Sequence, residues 1–327
     1  MSAKVLAITL GDRYGVGPEL VAQLPSAITL PANVAAVVVG DRAVWDAGRR
    51  VSRASDISAT TVFGKAPGGT WSFLDRPVYI PIAPMGRMSA DAGSEVLGTL
   101  GELAANVRTG QIGGIVYGPL NKQALKAAGH AAGDELDYLN THLKAKGATG
   151  EVNILGELWT SRVTSHVPLS RVAGLITRER VGAGIALLND VLRRAGRHRP
   201  RLAIAALNPH AGEGGAFGSE EIEVLRPAIE TAVAIGIDAQ GPFPADTVFP
   251  RALNGDFDGV VTMFHDQGQI ALKLVGLGKG ITLLAGFPVP IATPGHGTAY
   301  DIAGTGRARS DGLTAATRLV LDMMMER

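Results

Sequence analysis

The sequence predicts an α/β protein with parallel or mixed sheets, and two observations support that expectation. Short apolar runs alternate with helix patterns along the 327 residues, which is typical of strands joined by crossover helices. Glycine-rich segments follow several of these runs and lead towards helix patterns, as ligand-binding loops do in this fold class. We therefore expect a sheet that helices cover on both faces.

The strand candidates are five apolar runs dominated by aliphatic side chains. Strands buried on both faces have this composition, because neither face meets water. In chain order the runs are VLAITL (5–10), VAAVVVG (34–40), GGIVYG (113–118), RLAIAALN (201–208) and GVVTMF (259–264). Helices are predicted from their apolar periodicity over residues 91–108, 179–195 and 313–325.

The composition excludes several functional classes. The 31 basic and 30 acidic residues give a formal charge of +1, so we expect neither a nucleic-acid partner nor an anionic membrane partner. Cysteine is absent, which excludes disulfides and thiolate ligands. No apolar stretch approaches the roughly 20 residues needed to span a bilayer. We expect a cytoplasmic, untargeted protein that acts on small molecules.

Three histidines follow strand-like segments. His265 follows GVVTMF, His210 closes RLAIAALNPH, and His166 closes RVTSH. In open α/β sheets ligands bind beyond the carboxyl ends of the strands, and imidazole suits Zn²⁺, Ni²⁺, Co²⁺ or Fe²⁺. Two interpretations stay open on these grounds: one metal site with three histidines, or three separate histidines that are hydrogen-bonded to backbone.

Four charged residues are candidates for catalysis. Lys122 lies on the first turn of a predicted helix, where a cation opposes the helix dipole. A substrate carboxylate explains that position, and a solvated surface lysine is the alternative. A carboxylate beside a histidine completes a metal's shell or acts as a base, and the sequence leaves both roles open. The candidates are Lys122, Asp246, Asp266 and Lys273.

Three glycine-rich loops are candidates for ligand binding, at 11–19, 208–221 and 295–304. The loop at 11–19 matches neither GxGxxG nor the Walker pattern, and a tight strand-to-helix turn explains it equally well. The loop at 295–304 contains small residues that let the backbone approach a flat ligand closely.

Six ordered segments resemble the family of 4-hydroxythreonine-4-phosphate dehydrogenases. They are ITLGDRYGVGPEL, YGPLNK, NPHAGEGGAFG, GPFPADTVF, MFHDQGQIALK and HGTAYDIAGTG. HGTAYDIAG also resembles the loop of isocitrate and isopropylmalate dehydrogenases that holds the adenosine end of a nicotinamide cofactor. The resemblance implies an isocitrate/isopropylmalate dehydrogenase-like two-domain fold with an interdomain cleft. Residues 1–127 with 288–327 would form the first domain, which carries the cofactor loop. Residues 128–287 would form the second, with the metal, substrate and dimer contacts.

The same resemblance implies a homodimer with shared active sites, and a cofactor and a metal in each site. NAD or NADP would bind to His296, Gly297, Thr298, Ala299, Asp301 and Gly304. One divalent metal (Zn, Co, Ni, Mn, Fe or Mg) would be held by His166, His210 and His265, with His166 supplied by the other subunit. The implied reaction is oxidation of a secondary alcohol of a hydroxy acid, followed by decarboxylation.

Departures from the family pattern concern the substrate. The family's substrate-binding histidine and threonine correspond to Asp134 and Glu135, and its lysine, asparagine and arginine correspond to Lys273, Thr282 and Ile291. Gly295 stands where an aspartate is usual, a change associated with cis-dihydrodiol carboxylate dehydrogenases. We therefore expect an unphosphorylated substrate, with a cis-dihydrodiol carboxylate as the alternative. A non-redox metal lyase or a ligand-binding protein on the same fold is the alternative from another class.

Overall fold

The computed structural model describes residues 3–80, 84–130, 134–276 and 278–326. The chain forms two compact units, Met1–Lys146 with Phe287–Met325 and Gly147–Gly286 with Glu326–Arg327. The expected first boundary was at 127/128, whereas the first unit continues to Lys146. Each unit has its own sheet strands and helices, and strands and helices are numbered in chain order through the whole chain.

Parallel strands form the centre of the first unit. Those in the described residues are β1 (Lys4–Thr9), β2 (Val34–Gly40), β3 (Ser58–Thr60), β4 (Trp71–Asp75), β5 (Gly114–Tyr117) and β12 (Ile291–Pro294). Their order is β3-β4-β2-β1-β5-β12, with β1 parallel to both β2 and β5. Every residue of β2 and β5 is buried, which is why the sequence shows uninterrupted aliphatic runs there.

Helices surround these strands. They are α1 (Gly17–Val21), α2 (Leu24–Ala27), α3 (Arg42–Ser52), α4 (Ala90–Arg108), α5 (Lys122–Ala127), α6 (Glu135–Leu143) and α12 (Asp311–Met325), with a 3₁₀ turn at Phe63–Lys65. The start of α3 is fixed by Asp41, whose carboxylate accepts hydrogen bonds from the Ala43 and Val44 amides. Because α6 packs against α4, the residues after 127 belong to the first unit.

The second unit contains a mixed sheet. Its described strands are β6 (Gly150–Leu155), β7 (Leu158–Arg162), β8 (Arg201–Ala205), β9 (Asp238–Phe243), β10 (Gly259–Thr262) and β11 (Ile281–Ala285), in the order β11-β6-β7-β10-β8-β9. Strands β7, β10, β8 and β9 are parallel, and β6 is antiparallel to β7 and to β11. The carboxyl ends of β7, β10 and β8 therefore lie at one edge of the sheet.

The helices of the second unit are α7 (Leu169–Leu175), α8 (Arg178–Arg194), α9 (Arg226–Ala234), α10 (Ala245–Leu253) and α11 (His265–Gly276). A segment with 3₁₀ hydrogen bonds spans Pro209–Gly215, and a π-helical turn spans Glu221–Leu225. Val181, Ile185 and Leu188 are buried along one face of α8, as the apolar periodicity of the sequence predicts. A core beside β8 and β10 includes Phe249, Phe257 and Leu272.

In the part of the chain that the structure describes, no helix has the length and apolar character to cross a membrane.

Candidate functional site

Two of the three candidate metal ligands lie side by side. His166 follows β7 and His265 begins α11 after β10, and because β7 and β10 are parallel neighbours, both histidines reach the same edge. Their ring centroids are 5.9 Å apart with an interplanar angle of 45°. Tertiary structure thus brings together two imidazoles that are about a hundred residues apart in sequence.

Asp266 orients the ring of His265. Its Oδ1 atom lies 2.7 Å from Nδ1 of His265. In the tautomer in which Nδ1 carries the proton, this contact leaves Nε2 of His265 unprotonated. Histidines that bind metals commonly donate their other ring N–H to a carboxylate in this way. The pair therefore fits a divalent metal, and Asp266 fits a role in orienting the imidazole.

His210 lies apart from the other two histidines. It is exposed on the Pro209–Gly215 segment, and its ring centroid is 6.2 Å from that of Phe217. Across residues 3–80, 84–130, 134–276 and 278–326, no three His, Asp or Glu residues are grouped closely enough to hold a metal. In the described residues, one chain brings two of the candidate ligands together, His166 and His265.

The remaining candidates of the second unit differ in their surroundings. Asp246, in the first turn of α10, and Lys273, on α11, are both exposed. Thr282 is partly buried, and its hydroxyl accepts a hydrogen bond of 3.0 Å from Asn153. The side chain of Thr282 is thus already engaged within the sheet.

The sequence patterns did not point to Arg162, a buried arginine four residues before His166. The Arg162 side chain is 6% exposed, forms an ion pair with Glu151, and donates a 2.9 Å hydrogen bond from Nε to Ser165. The sequence did contain a signal for this arginine. It is a charged residue at the end of an otherwise uncharged strand, and it lies four residues before a candidate ligand. Asn153 extends this network by accepting a hydrogen bond from Gln269 on α11.

The two glycine-rich loops contact each other within the first unit. The hydroxyl of Tyr300 donates a 2.6 Å hydrogen bond to Asp12, and the Val16 amide donates to the Thr298 carbonyl at 3.0 Å. Burial raises the pKa of Asp12, and burial followed by the nearby Asp12 raises the pKa of Tyr300. The loop at 11–19 therefore packs against the loop at 295–304 and holds part of it in place.

A cavity of about 370 Å³ lies beside these loops and is lined mainly by apolar atoms. Gly15 and Gly304 contribute to its wall, together with Val44, Gly48, Arg50 and Met85. Its buried acid is Glu19, whose pKa is raised by burial. Concave, largely apolar cavities with a few polar groups are typical of sites for small ligands and cofactors.

The candidate cofactor residues occupy different positions on their loop. Gly297, Asp301 and Gly304 are exposed, His296 and Ala299 are partly exposed, and Thr298 is 7% exposed. Nothing lies within 4 Å of the position that a Cβ atom on Gly297 would occupy. The exposed part of this loop thus has room for a ligand.

An ion pair joins the loop at 11–19 to α4. Arg13 Nη1 and Glu95 Oε2 are 3.3 Å apart, and both side chains are about nine-tenths buried. Burial raises the pKa of Glu95 to about 7, although Arg13 opposes the rise. Lys122 begins α5 next to Asn121, which caps that helix, and the lysine side chain is exposed.

Three substrate candidates of the first unit have partners or packing within the chain. Ile291 is fully buried in β12, so its side chain offers no surface to a substrate. Glu135 is 8% exposed and accepts a 3.2 Å hydrogen bond from the hydroxyl of Tyr117. Asp134 caps α6 by accepting from the Asp137 amide at 2.9 Å.

Known proteins resemble this chain over most of its length. "Putative 4-hydroxythreonine-4-phosphate dehydrogenase 2" of Pseudomonas aeruginosa is 44% identical over 312 residues, covering 93% of this chain and 92% of that protein. "D-threonate 4-phosphate dehydrogenase" of Pectobacterium atrosepticum is 36% identical, covering 98% and 99%. The crystal structure of 4-hydroxythreonine-4-phosphate dehydrogenase from Klebsiella pneumoniae has a TM-score of 0.84 at 33% identity, covering 99% and 98%.

More distant structures share the fold. A terephthalate 1,2-cis-dihydrodioldehydrogenase from Burkholderia xenovorans has a TM-score of 0.70 at 25% identity, covering 98% of each chain. Isocitrate dehydrogenase from Methylococcus capsulatus has a TM-score of 0.50 at 17% identity, covering 99% of this chain and 86% of that one. These likenesses confirm the predicted fold class.

The sequence profile of the family described as pyridoxal phosphate biosynthetic protein PdxA matches residues 32–320. The chain, with its paired histidines and its joined glycine-rich loops, belongs to the PdxA family.

Proposed function

We propose that this protein is a metal-dependent, NAD(P)-linked dehydrogenase that oxidises a secondary alcohol of a small hydroxy acid. The observation that carries the proposal is the pairing of His166 and His265 at the ends of neighbouring parallel strands, with Asp266 at Nδ1 of His265. Its family relatives are named as dehydrogenases.

His166, His210 and His265 would hold the metal. Because His166 and His265 of one chain already lie together, the second subunit of a homodimer would contribute His210. This assignment differs from the expectation that His166 crosses the interface. Three imidazoles favour a transition metal such as Zn²⁺ or Co²⁺ over Mg²⁺, which prefers oxygen ligands. Such a cation, when bound, supplies Lewis acidity at the hydroxyl that is oxidised.

The cofactor would bind at the 295–304 loop and the neighbouring cavity. The exposed Gly297, the exposed Asp301 and the apolar wall near Gly304 suit a flat base and its ribose hydroxyls. The nicotinamide supplies the hydride acceptor. Tyr300 and Asp12 would keep the loop in place while the cofactor enters and leaves.

Exposed charged residues would bind and deprotonate the substrate. Lys122 and Lys273 would hold anionic groups of the acid, and Asp246 would accept a proton, since each side chain is exposed.

When the oxidised hydroxyl is β to the carboxylate, the product is a β-keto acid. Its carbon–carbon bond to the carboxylate then breaks, CO₂ leaves, and a proton is taken up at the α-carbon.

Two substrate classes follow from different observations. The names of the relatives at 44% and 36% identity favour a phosphorylated four-carbon hydroxy acid, and we propose that class first. Asp134 and Glu135 weigh less against a phosphorylated substrate, because their carboxylates are engaged in a helix cap and in a hydrogen bond with Tyr117. An unphosphorylated acid or a cis-dihydrodiol carboxylate is the second candidate. It is favoured by Gly295, which stands where an aspartate is usual in the family, and by the dihydrodiol dehydrogenase among the structural neighbours.

Steady-state kinetics test this proposal. The enzyme is stripped of metal, reloaded with Zn²⁺ or Co²⁺, and supplied with NAD⁺ or NADP⁺. The substrates compared are 4-hydroxythreonine 4-phosphate, D-threonate 4-phosphate, unphosphorylated D-threonate and terephthalate cis-dihydrodiol. We expect metal-dependent formation of reduced nicotinamide, with kcat/KM at least about tenfold higher for a phosphorylated acid, the effect of one or more charge-assisted hydrogen bonds. Turnover that survives complete chelation, or reduction of the nicotinamide with none of these substrates, would contradict the proposal.

A further inference from the structure

We propose that Glu221 is a positioning residue for His210, and that Gln267 links the same segment to the helix that begins at His265. This inference rests on the proposed metal function and adds residues that hold the ligands without touching the metal. Glu221 follows the glycine-rich segment 208–218 and has no role in the reaction proposed above.

The Glu221 carboxylate accepts hydrogen bonds from the backbone just before His210. It is 0% exposed, and its Oε1 accepts hydrogen bonds from the Leu207 amide at 2.9 Å and from the Asn208 amide at 2.8 Å. Its Oε2 accepts from the side-chain amide of Asn208 at 2.9 Å. A buried carboxylate is costly unless hydrogen-bonded, so these three donors and the acid stabilise one arrangement of the 207–208 backbone.

The same carboxylate also packs against the chain just after His210. A Cβ atom on Gly212 would lie 2.7 Å from Glu221 Oε2, so the glycine permits a close approach. The backbone between these two points is in the left-handed region, with φ of 53° at both His210 and Ala211. Residues other than glycine keep this conformation only where their surroundings impose it. Glu221 is the group that touches both sides of the turn.

Gln267 connects this turn to the second histidine. Its Oε1 accepts from the Met263 amide at 2.8 Å, and its Nε2 donates to the Ala206 carbonyl at 2.8 Å. Ala206 directly precedes the segment held by Glu221, and Gln267 lies in the first turn of α11 after His265. One continuous set of hydrogen bonds therefore runs from the start of α11 to the turn that carries His210.

A neighbouring glutamate offers a matched control. Glu221 begins the π-helical turn Glu221–Leu225, a conformation found often at functional sites. Glu223 lies on the same turn with an exposed side chain. The Glu221→Gln and Glu223→Gln changes remove the same charge, but only the first removes an acceptor from the 207–208 segment. Gln267→Met, of similar volume, gives an independent variant that breaks the second link.

Two measurements on the full-length protein test the proposal. In the metal-free protein, hydrogen exchange of residues 206–212 should accelerate in Glu221→Gln and Gln267→Met and stay unchanged in Glu223→Gln. In Co²⁺ titrations followed by visible absorption, the first two variants should bind Co²⁺ about tenfold to a hundredfold more weakly. The absorption band of the bound ion should also shift as the histidine geometry changes.

The outcomes separate the positioning role from the proposed function. Wild-type-like exchange and Co²⁺ affinity in Glu221→Gln would overturn the positioning role alone, as would a lower Tm with unchanged Co²⁺ affinity. A wild-type protein that binds no Co²⁺ would overturn the proposed metal function and the positioning role with it.

Discussion

At the scale of single residues, Gly297 and Thr298 lie side by side in opposite surroundings. Thr298 is 7% exposed. A Cβ atom added to Gly15 would lie only 2.9 Å from the Cβ atom of Thr298. Gly297 faces open space, and its φ is outside the left-handed region. Neither packing nor backbone conformation requires glycine at position 297. We infer that the space beside it is kept for a ligand.

Gly297→Leu tests that inference. The side chain would fill the open space without disturbing the fold, so we expect the Kd for NAD(P)⁺ to rise by about tenfold, roughly 1.4 kcal/mol. The metal affinity and the Tm should not change. Calorimetric titration with the cofactor gives the result. Gly64→Leu, at another open glycine in the same unit, serves as the control. If cofactor binding were equal in both variants, the 295–304 loop would lose its assignment.

At the scale of elements, the capping of α6 explains why an aspartate stands at position 134, which corresponds to a substrate-binding position of the family. Asp134 has the extended backbone of an N-cap, and its carboxylate accepts from the Asp137 amide. Asparagine caps a helix as well as aspartate does, whereas alanine does not. The two substitutions therefore separate capping from charge.

We expect Asp134→Asn to leave both stability and kcat/KM close to the wild-type values. Asp134→Ala should lower the free energy of unfolding by about 1 kcal/mol. Denaturant unfolding and steady-state kinetics measure the two effects. A tenfold change of KM in Asp134→Asn would instead place the carboxylate at the substrate, as the sequence alone had indicated.

At the scale of the whole molecule, the proposed site with three histidines would need residues from more than one chain. His166 and His265 share an edge of the second unit, and His210 lies apart. If a homodimer completes the site, the identity of the histidine that crosses decides which pairs of inactive subunits can restore activity.

Mixed dimers give a direct test. If His210 crosses, subunits with His210→Ala mixed with subunits with His265→Ala should regain metal binding and turnover at one site of the mixed dimer. Subunits with His166→Ala mixed with subunits with His265→Ala should stay inactive, because each site then lacks one member of the pair. Activity in the second mixture with no activity in the first would show that His166 crosses, and activity in both mixtures would show that His265 crosses. Each variant alone, and its Tm, provides the control.

Much of the fold could be predicted from the sequence because aliphatic runs report burial directly. The runs at 34–40 and 259–264 contain β2 and β10, and the patterns at 91–108 and 179–195 contain most of α4 and α8. Strands β6 and β11 were not predicted. They mix polar and apolar residues, and their strand character depends on antiparallel pairing with partners distant in sequence.

The sequence by itself determined the fold class, the family and the position of the candidate histidines after strand-like segments, because these depend on local composition and on ordered motifs. Only the tertiary structure decided which side chains meet. It paired His166 with His265, buried Ile291 and Glu135, and placed Glu221 against the turn of His210. The physical reason is that burial and hydrogen bonding depend on which strands become neighbours, and the order β7-β10-β8 is set by long-range packing.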